Sequence, residues 1–379
     1  MLHIHQTTCI SPQRTFPHPD LEELHESVNS RLSVIEPDYT GIPQNALRRM
    51  ARSTRIGVGA AFPLLRRPEA GSSYSSVTSP PSIDGIIIGT ANAGMEESIQ
   101  FMKQIIDHEE GMLAPGVFVQ STPNTIAAQI SLLSRNRGYN TTHVHRGLAF
   151  ENALLDAAML VRENPRHNYL LGGVDEIGAF NYNIDYLDGW YKKEALSSKR
   201  LYEDNSAGSI AGEGAALFLV NDRPENALAR VRALATLHSK DPAAVRDQLR
   251  HFIDTRLQAG EKIDLFLSGE NGDNRLLPFF LSCEDILDRD IPIARFKHMC
   301  GEYPTASAFA VWLACHLLQS QSIPPHIIKR MPGSTDPGNR GDKNTVACRN
   351  ILIYNSHKGA QHSFIWITGT HALTTRPDR

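Results

Sequence analysis

The sequence is short of every feature that marks a secreted, membrane-spanning or nucleic-acid-binding chain. Its 379 residues include five cysteines, Cys9, Cys283, Cys300, Cys315 and Cys348. The number is odd and no two form a CxxC pair, which argues against a disulfide framework or a thiolate zinc site. A reducing cytoplasm is the expected location. No apolar run approaches the roughly eighteen residues of a membrane span. The start, MLHIHQTTCISPQRTF, lacks a cationic stretch followed by an apolar one, so no signal peptide is expected. A formal net charge of −3 leaves no excess of cations to track a phosphate backbone, and nucleic acid is not an expected partner. The absence of any internal repeat of about 20 to 50 residues excludes a solenoid.

What is present is apolar and alternating. The length suggests two domains or one large α/β unit. Short apolar runs bounded by glycine, at residues 83–90, 167–176, 212–220, 262–269 and 350–356, read as buried strands. Helical patterns at 124–134, 150–162, 243–258 and 305–319 lie between them, and this alternation predicts an α/β fold with covered sheets. Residues 66–82 are rich in Ser, Pro and Gly and read as an exposed loop. The segment NDRPEN around Asp222 marks the expected boundary between an N-terminal half, 1–222, and a C-terminal half, 223–379.

The stretch YNTTHVHRGLAFENALLDAAML, Tyr139 to Leu160, reads as a strand running into a helix. A helix N-terminus there would stabilise a thiolate nucleophile, yet the turn from Val144 to Leu148 contains no Cys or Ser. His143 and His145, at i and i+2, share one face of a strand and would reach one metal together, or else each would hydrogen-bond within the junction. In GENGD, Glu270 and Asp273 are either acid/base groups or turn-formers. In KHMCGE, Cys300 has no base at a defined spacing and reads as a buried filler, while Lys297 and Glu302 are placed to pair.

These junctions, in their order along nearly the whole chain, resemble the thiolase-fold β-ketoacyl synthases. The motifs are ISPQRTF from Ile10, IPQNALRRMAR from Ile42, GIIIGTANAGMEES from Gly85, GVFVQSTPNTIAAQISLLSRNRGYN from Gly116, LLGGVDE from Leu170 and SIAGEGAALFLV from Ser209. The resemblance implies two pseudo-symmetric halves with helices sandwiched between sheets. It also places the family's nucleophilic Cys on Gly147 and its first active-site His at or beside Gly269. The family's Lys is retained as Lys297 and a loop glycine as Gly301, the second His is replaced by Glu302, and the Glu that pairs with the Lys falls on Val311. NSHKGAQHS, Asn355 to Ser363, stands where the family has a glycine-rich gate loop.

Decarboxylative Claisen condensation needs a thiol to hold the acyl chain and two neutral imidazoles to stabilise the enolate oxygen. A glutamate would put negative charge where the enolate forms. The resemblance therefore implies a non-catalytic homologue, similar to the chain-length-factor subunits of bacterial aryl-polyene and flexirubin-type pathways, without a cofactor. Its expected partners are a catalytic β-ketoacyl synthase, as a heterodimer, and an acyl carrier protein through that complex; a homodimer is the other arrangement. Met95, Ile99, Met102, Val117, Phe118 and Asn124 would line the tunnel or the interface, with dimerisation through residues 117–131. His143, His145 and Arg146 would fill the vacated pocket. The alternative is an active acyltransferase with a non-standard group such as Cys300 or His145.

Overall fold

The computed structural model describes residues 2–65, 82–109, 111–258, 260–332 and 348–370; the expected loop at 66–82 lies outside them apart from Ser82. In the first half the strands are β1 (Leu2–Ile10), β2 (Arg31–Leu32), β3 (Gly85–Thr90), β4 (Tyr139–Val144), β5 (Tyr169–Asp175), β6 (Ala211–Gly212) and β7 (Gly214–Asn221). In the second they are β8 (Ala229–His238), β9 (Leu265–Ser268), β10 (Ile293–Arg295), β11 (Ile328–Arg330), β12 (Asn350–His357) and β13 (Gln361–Gly369). The helices are α1 (Gln44–Leu47), α2 (Arg52–Leu65), α3 (Met95–Asp107), α4 (Pro115–Gln120), α5 (Thr125–Ser134) and α6 (Ala149–Glu163). They continue with α7 (Ala179–Leu187), α8 (Pro242–Arg256), α9 (Leu277–Glu284), α10 (Lys297–Cys300) and α11 (Ala306–Ser320).

Among the described residues eleven strands join in one ladder, β11-β10-β9-β12-β13-β8-β1-β7-β5-β3-β4, while β2 and β6 pair separately. The ladder is built twice around an antiparallel β1–β8 contact. Outward from β1 run β7, β5, β3 and β4; outward from β8 run β13, β12, β9 and β10. In each series the first two steps are antiparallel and the last two parallel. The duplication reaches single hydrogen bonds. Asp84, just before β3, accepts the Asn168 N–H at 2.8 Å, and Asp264, just before β9, accepts the Asn350 N–H at 2.9 Å. Both follow an isoleucine and precede a glycine by five residues, Gly89 and Gly269, a short echo that the search for longer repeats passes over.

Alternation along the strands sorts side chains into three apolar layers. Inward residues of both halves, Ile87, Leu171 and Phe218 with Leu267, Ile353 and Ile365, meet around α6 and α11 in one cluster. Helix α11, ASAFAVWLACHLLQS, is apolar on all sides and almost entirely buried, as a helix between two sheet faces must be. Outward residues of the first half, such as Ile86, Ile88 and Leu217, pack with α2 and α5. Phe266, Tyr354 and Phe364 of the second half pack with α8 and α9. The mixed α/β architecture with two pseudo-symmetric halves matches the expectation. Among the described residues no helix is long and apolar enough to cross a membrane.

Candidate functional site

Parallel strands β3 and β4 bring the chain into α6 at Gly147, which is buried. The Gly147 N–H donates to Gln361 Oε1 at 2.8 Å. A Cβ built on Gly147 overlaps the Cβ of His357 and comes within 2.5 Å of its Cγ. No side chain fits there while His357 keeps its place. Gly269, at the end of β9, donates its N–H to the Tyr354 carbonyl at 2.7 Å, and a Cβ on it would lie 2.8 Å from Asn355 Oδ1. One hairpin, β12 to β13, thus presses on both glycines. Its turn carries Lys358 and Gly359 at positive φ, and the Ala360 N–H closes it onto the His357 carbonyl at 3.1 Å.

Beside this plug is a buried ion pair. Lys297 Nζ donates to Glu302 Oε1 at 3.0 Å, and Asn271 Nδ2 donates to Glu302 Oε2 at 2.9 Å. His357 Nδ1 is 3.9 Å from Glu302 Oε1. Burial opposes ionisation of Glu302, but Lys297, His357 and the Asn271 amide together hold it below the usual carboxylate range. On α6, one oxygen of the fully buried Glu151 accepts the Ser363 hydroxyl at 2.7 Å. Burial pushes this acid up. Among the described residues, Asn355 Oδ1, Ser356 Oγ, His357 Nδ1, Ser307 Oγ and Glu151 Oε2 are buried without a hydrogen-bond partner. The cavity that opens on Glu302, His357, Asn271 and Tyr303 measures about 20 Å³, room for one water and no acyl chain.

Cys300 is not placed to act as a nucleophile. Its side chain is fully buried, its Sγ points to the Gly301 carbonyl at 3.4 Å, and burial pushes its thiol far above the ordinary range. All five cysteines are buried and free, and burial raises Cys9, Cys283, Cys315 and Cys348 to about 12. Such thiols carry negligible thiolate at neutral pH.

The atoms that crowd Gly147 belong to His357, not to His143, His145 or Arg146. Arg146 is exposed. His143 Nε2 lies 2.8 Å from Asp156 Oδ2, an oxygen that also accepts the Tyr139 hydroxyl at 3.0 Å. His145 lies near His357 and His238, and burial followed by those two rings lowers its pKa. The filler is His357, from a strand that lies far along the chain. Among the described residues no three His, Cys, Asp or Glu side chains are grouped to hold a metal ion. Glu270 pairs with Arg295 at 3.1 Å and with Lys329, and Asp273 accepts from its neighbour Arg275, so both are tied into structure.

Two motifs gain a physical meaning only here. Arg52, from RRMAR, reaches Glu213, from GEGA, through two bonds of 2.6 Å. Glu213 is fully buried and also accepts the N–H groups of Val34 and Ile177 at 2.8 and 2.7 Å. Asp175, from GGVDE, accepts from Thr90 Oγ1, the Ala91 and Asn92 N–H groups and Thr305 Oγ1 at 2.8–3.0 Å. That single carboxylate fastens the turn after β3 to the start of α11.

The expected interface residues are exposed or half-buried. On α3 no residue is fully buried; Met95 and Met102 are exposed and Ile99 is half-buried. Phe118 of α4 is 56% exposed although its ring lies 5.2 Å from that of Phe101, and Val117 is half-buried. Asn124 accepts the Thr142 hydroxyl of β4 at 2.9 Å. Among the described residues strand β4 pairs only with β3 and ends the ladder.

No protein-family model matches the sequence, and no curated protein is significantly similar to it. Solved structures are. A β-ketoacyl synthase from Burkholderia phymatum superposes with a TM-score of 0.71 at 13% identity, covering 97% of this chain and 99% of that one. A ketosynthase in complex with its chain length factor from Xenorhabdus doucetiae gives 0.72 at 11% identity, with 97% and 98% covered. A type II polyketide synthase acyl-carrier protein in complex with its ketosynthase bound to the hexaketide gives 0.68 at 13% identity, with 97% and 99% covered. The chain therefore has the thiolase-like fold of the ketosynthases.

Proposed function

We propose that this chain is a ketosynthase-like subunit without condensing activity of its own, which pairs with a catalytic β-ketoacyl synthase and helps to wall its acyl tunnel. The observation that carries this reading is the packing of His357 and Gln361 onto Gly147. An acyl chain can neither be bound covalently there nor fit in about 20 Å³. The charge agrees: the anionic Glu302, paired with Lys297, stands where a neutral donor to an enolate is needed. The fold's solved examples include a ketosynthase with its chain length factor and a ketosynthase with its acyl-carrier protein, which supports a heterodimer served by an acyl carrier protein. Met95, Ile99, Met102, Val117 and Phe118 would then set the far end of the partner's cavity. The pathway class we assign is polyene-forming, of the aryl-polyene type, in the cytoplasm, and the two halves meet at residues 222/223.

The test is direct. Purified chain incubated with an acyl thioester should gain no mass and should release no carbon dioxide from a malonyl thioester. Co-expressed with a ketosynthase from the same gene neighbourhood, it should co-purify as a heterodimer. An acyl adduct on the isolated chain, or condensation above background, would overturn the reading. The active-acyltransferase alternative has no support from Cys300, whose thiol is buried and protonated.

A further inference from the structure

The end of the sheet opposite the plugged junction carries a groove of about 430 Å³, within the range of small-molecule sites. Its charged lining is Arg230, Arg232, Lys262 and Arg349 against Glu261 and Asp264. Both carboxylates are engaged. Glu261 pairs with Arg232 and accepts the Gln258 N–H at 3.0 Å. One oxygen of Asp264 accepts the N–H groups of Arg349 and Asn350 at 2.8 and 2.9 Å. Lys262 comes only to 4.0 Å from Asp264. Arg230 and Arg349 are exposed and, among the described residues, neither is in an ion pair. On the floor, Arg230 of β8, Thr368 of β13 and Asn350 of β12 stand side by side in register.

The duplicated fold supplies an internal comparison. The corresponding corner of the first half is built on the same Asp–Asn clamp but is closed by its own side chains. There Arg223 Nη2 and Asn221 Nδ2 both donate to Asn168 Oδ1, at 2.6 and 2.9 Å, and His5 Nε2 lies 2.7 Å from Asn221 Oδ1. In one half the arginine is consumed internally; in the other, two arginines face an open groove.

We propose that this groove binds the phosphate or pyrophosphate group of a small molecule. Arg230 and Arg349 take the anion's oxygens through their guanidinium forks, and the Thr368 hydroxyl and Asn350 amide orient it from the floor. The groove lies at the opposite end of the eight-residue β12 from His357, roughly 20 Å away at about 3.3 Å per residue. It is thus separate from the vacated junction and does not depend on the proposed function.

The experiment is calorimetric titration of the full chain with sodium pyrophosphate at low ionic strength, with sodium chloride at matched ionic strength as the comparison. Saturable binding is expected for pyrophosphate alone. Arg230→Ala/Arg349→Ala should weaken it at least tenfold, and Arg230→Lys/Arg349→Lys, which keeps the charge and loses the forks, should weaken it several-fold. Arg246→Ala, a half-buried arginine on α8 paired with Asp247, should leave it unchanged. Both double variants keep the buried core, so their melting temperatures without ligand should match the parent. The proposal falls if pyrophosphate gives no saturable heat at millimolar concentration, if chloride reproduces it, or if the lysine variant binds as tightly as the parent.

Discussion

At the scale of single residues, the informative position is Gly147. Its lack of a side chain is a packing requirement, because His357 already occupies the space. Gly147→Cys alone should therefore lower the melting temperature without creating an acylatable thiol. Adding His357→Gly should recover about 1–3 kcal/mol of that loss, since an overpacked contact is relieved when either partner shrinks. Thermal melts of the two single variants and the double variant measure the coupling; additive losses would show that His357 is not the obstacle.

Two carboxylates titrate in opposite senses. Glu302 is held below the usual carboxylate range, so the stability it contributes is present above its unfolded value and is lost as pH falls through the folded one. Glu302→Gln should flatten the acid limb of the stability profile. Glu176 is pushed up to about 7, by burial first and against the pull of Arg52. The folded state then binds the extra proton between the ordinary glutamate value of 4.5 and about 7, and stability declines as pH rises across that window. Glu176→Gln should remove the decline, on the order of 2–3 kcal/mol, measured by denaturant melts at stepped pH.

At the scale of elements, the weakly buried helix α3 and the edge strand β4 stand out. Exposed Met102, Ile106, Phe118 and Val119 on α3 and α4, like the open edge of β4, are the kinds of surface that soluble proteins cover with a partner. Met102→Asp with Phe118→Asp should abolish association while leaving the unfolding free energy of the monomer within about 1 kcal/mol of the parent, because neither side chain is in the core. Light scattering on the chain alone and with a co-expressed ketosynthase checks this. Unchanged assembly would move the interface elsewhere. Element reading from sequence succeeded where the apolar period was long or glycine-bounded: β3, β5, β7, β9 and β12, and helices α5, α6, α8 and α11, all lie where the pattern put them. It passed over β8 and β13. These carry the same apolar alternation and are bounded by turn residues as well, Asp241 and Pro242 after β8 and Gly359 before β13, so the signal was present in the chain.

At the scale of the whole molecule, the fold is two copies of one strand order joined through β1 and β8. The matched Asp–Asn clamps offer a test. Asp84→Ala and Asp264→Ala should each cost about 1 kcal/mol, the low end of the penalty for an unpaired N–H because these groups are only partly buried. The two losses should add in the double variant, because the clamps share no partner. Strong non-additivity in denaturant titrations would mean that the halves do not carry their corners independently.

The sequence by itself determined the layered α/β architecture, because buried strands and an all-apolar α11 have few stable arrangements other than helix between sheets. The order of local motifs also singled out Gly147, Gly269 and Glu302, by resemblance, as the positions to inspect. Only the tertiary structure decided what packs against them. His357 and Gln361 lie more than two hundred residues beyond Gly147, and no local pattern marks which hairpin will fold onto which helix N-terminus. The same holds for Arg52 with Glu213 and for Asp175 with Thr305. Each motif is legible along the chain, while the bond between them exists only when β7, α2 and α11 are packed. The open arginine groove is the extreme case: its floor is one row across three strands, a neighbourhood that strand pairing creates and that sequence spacing does not contain.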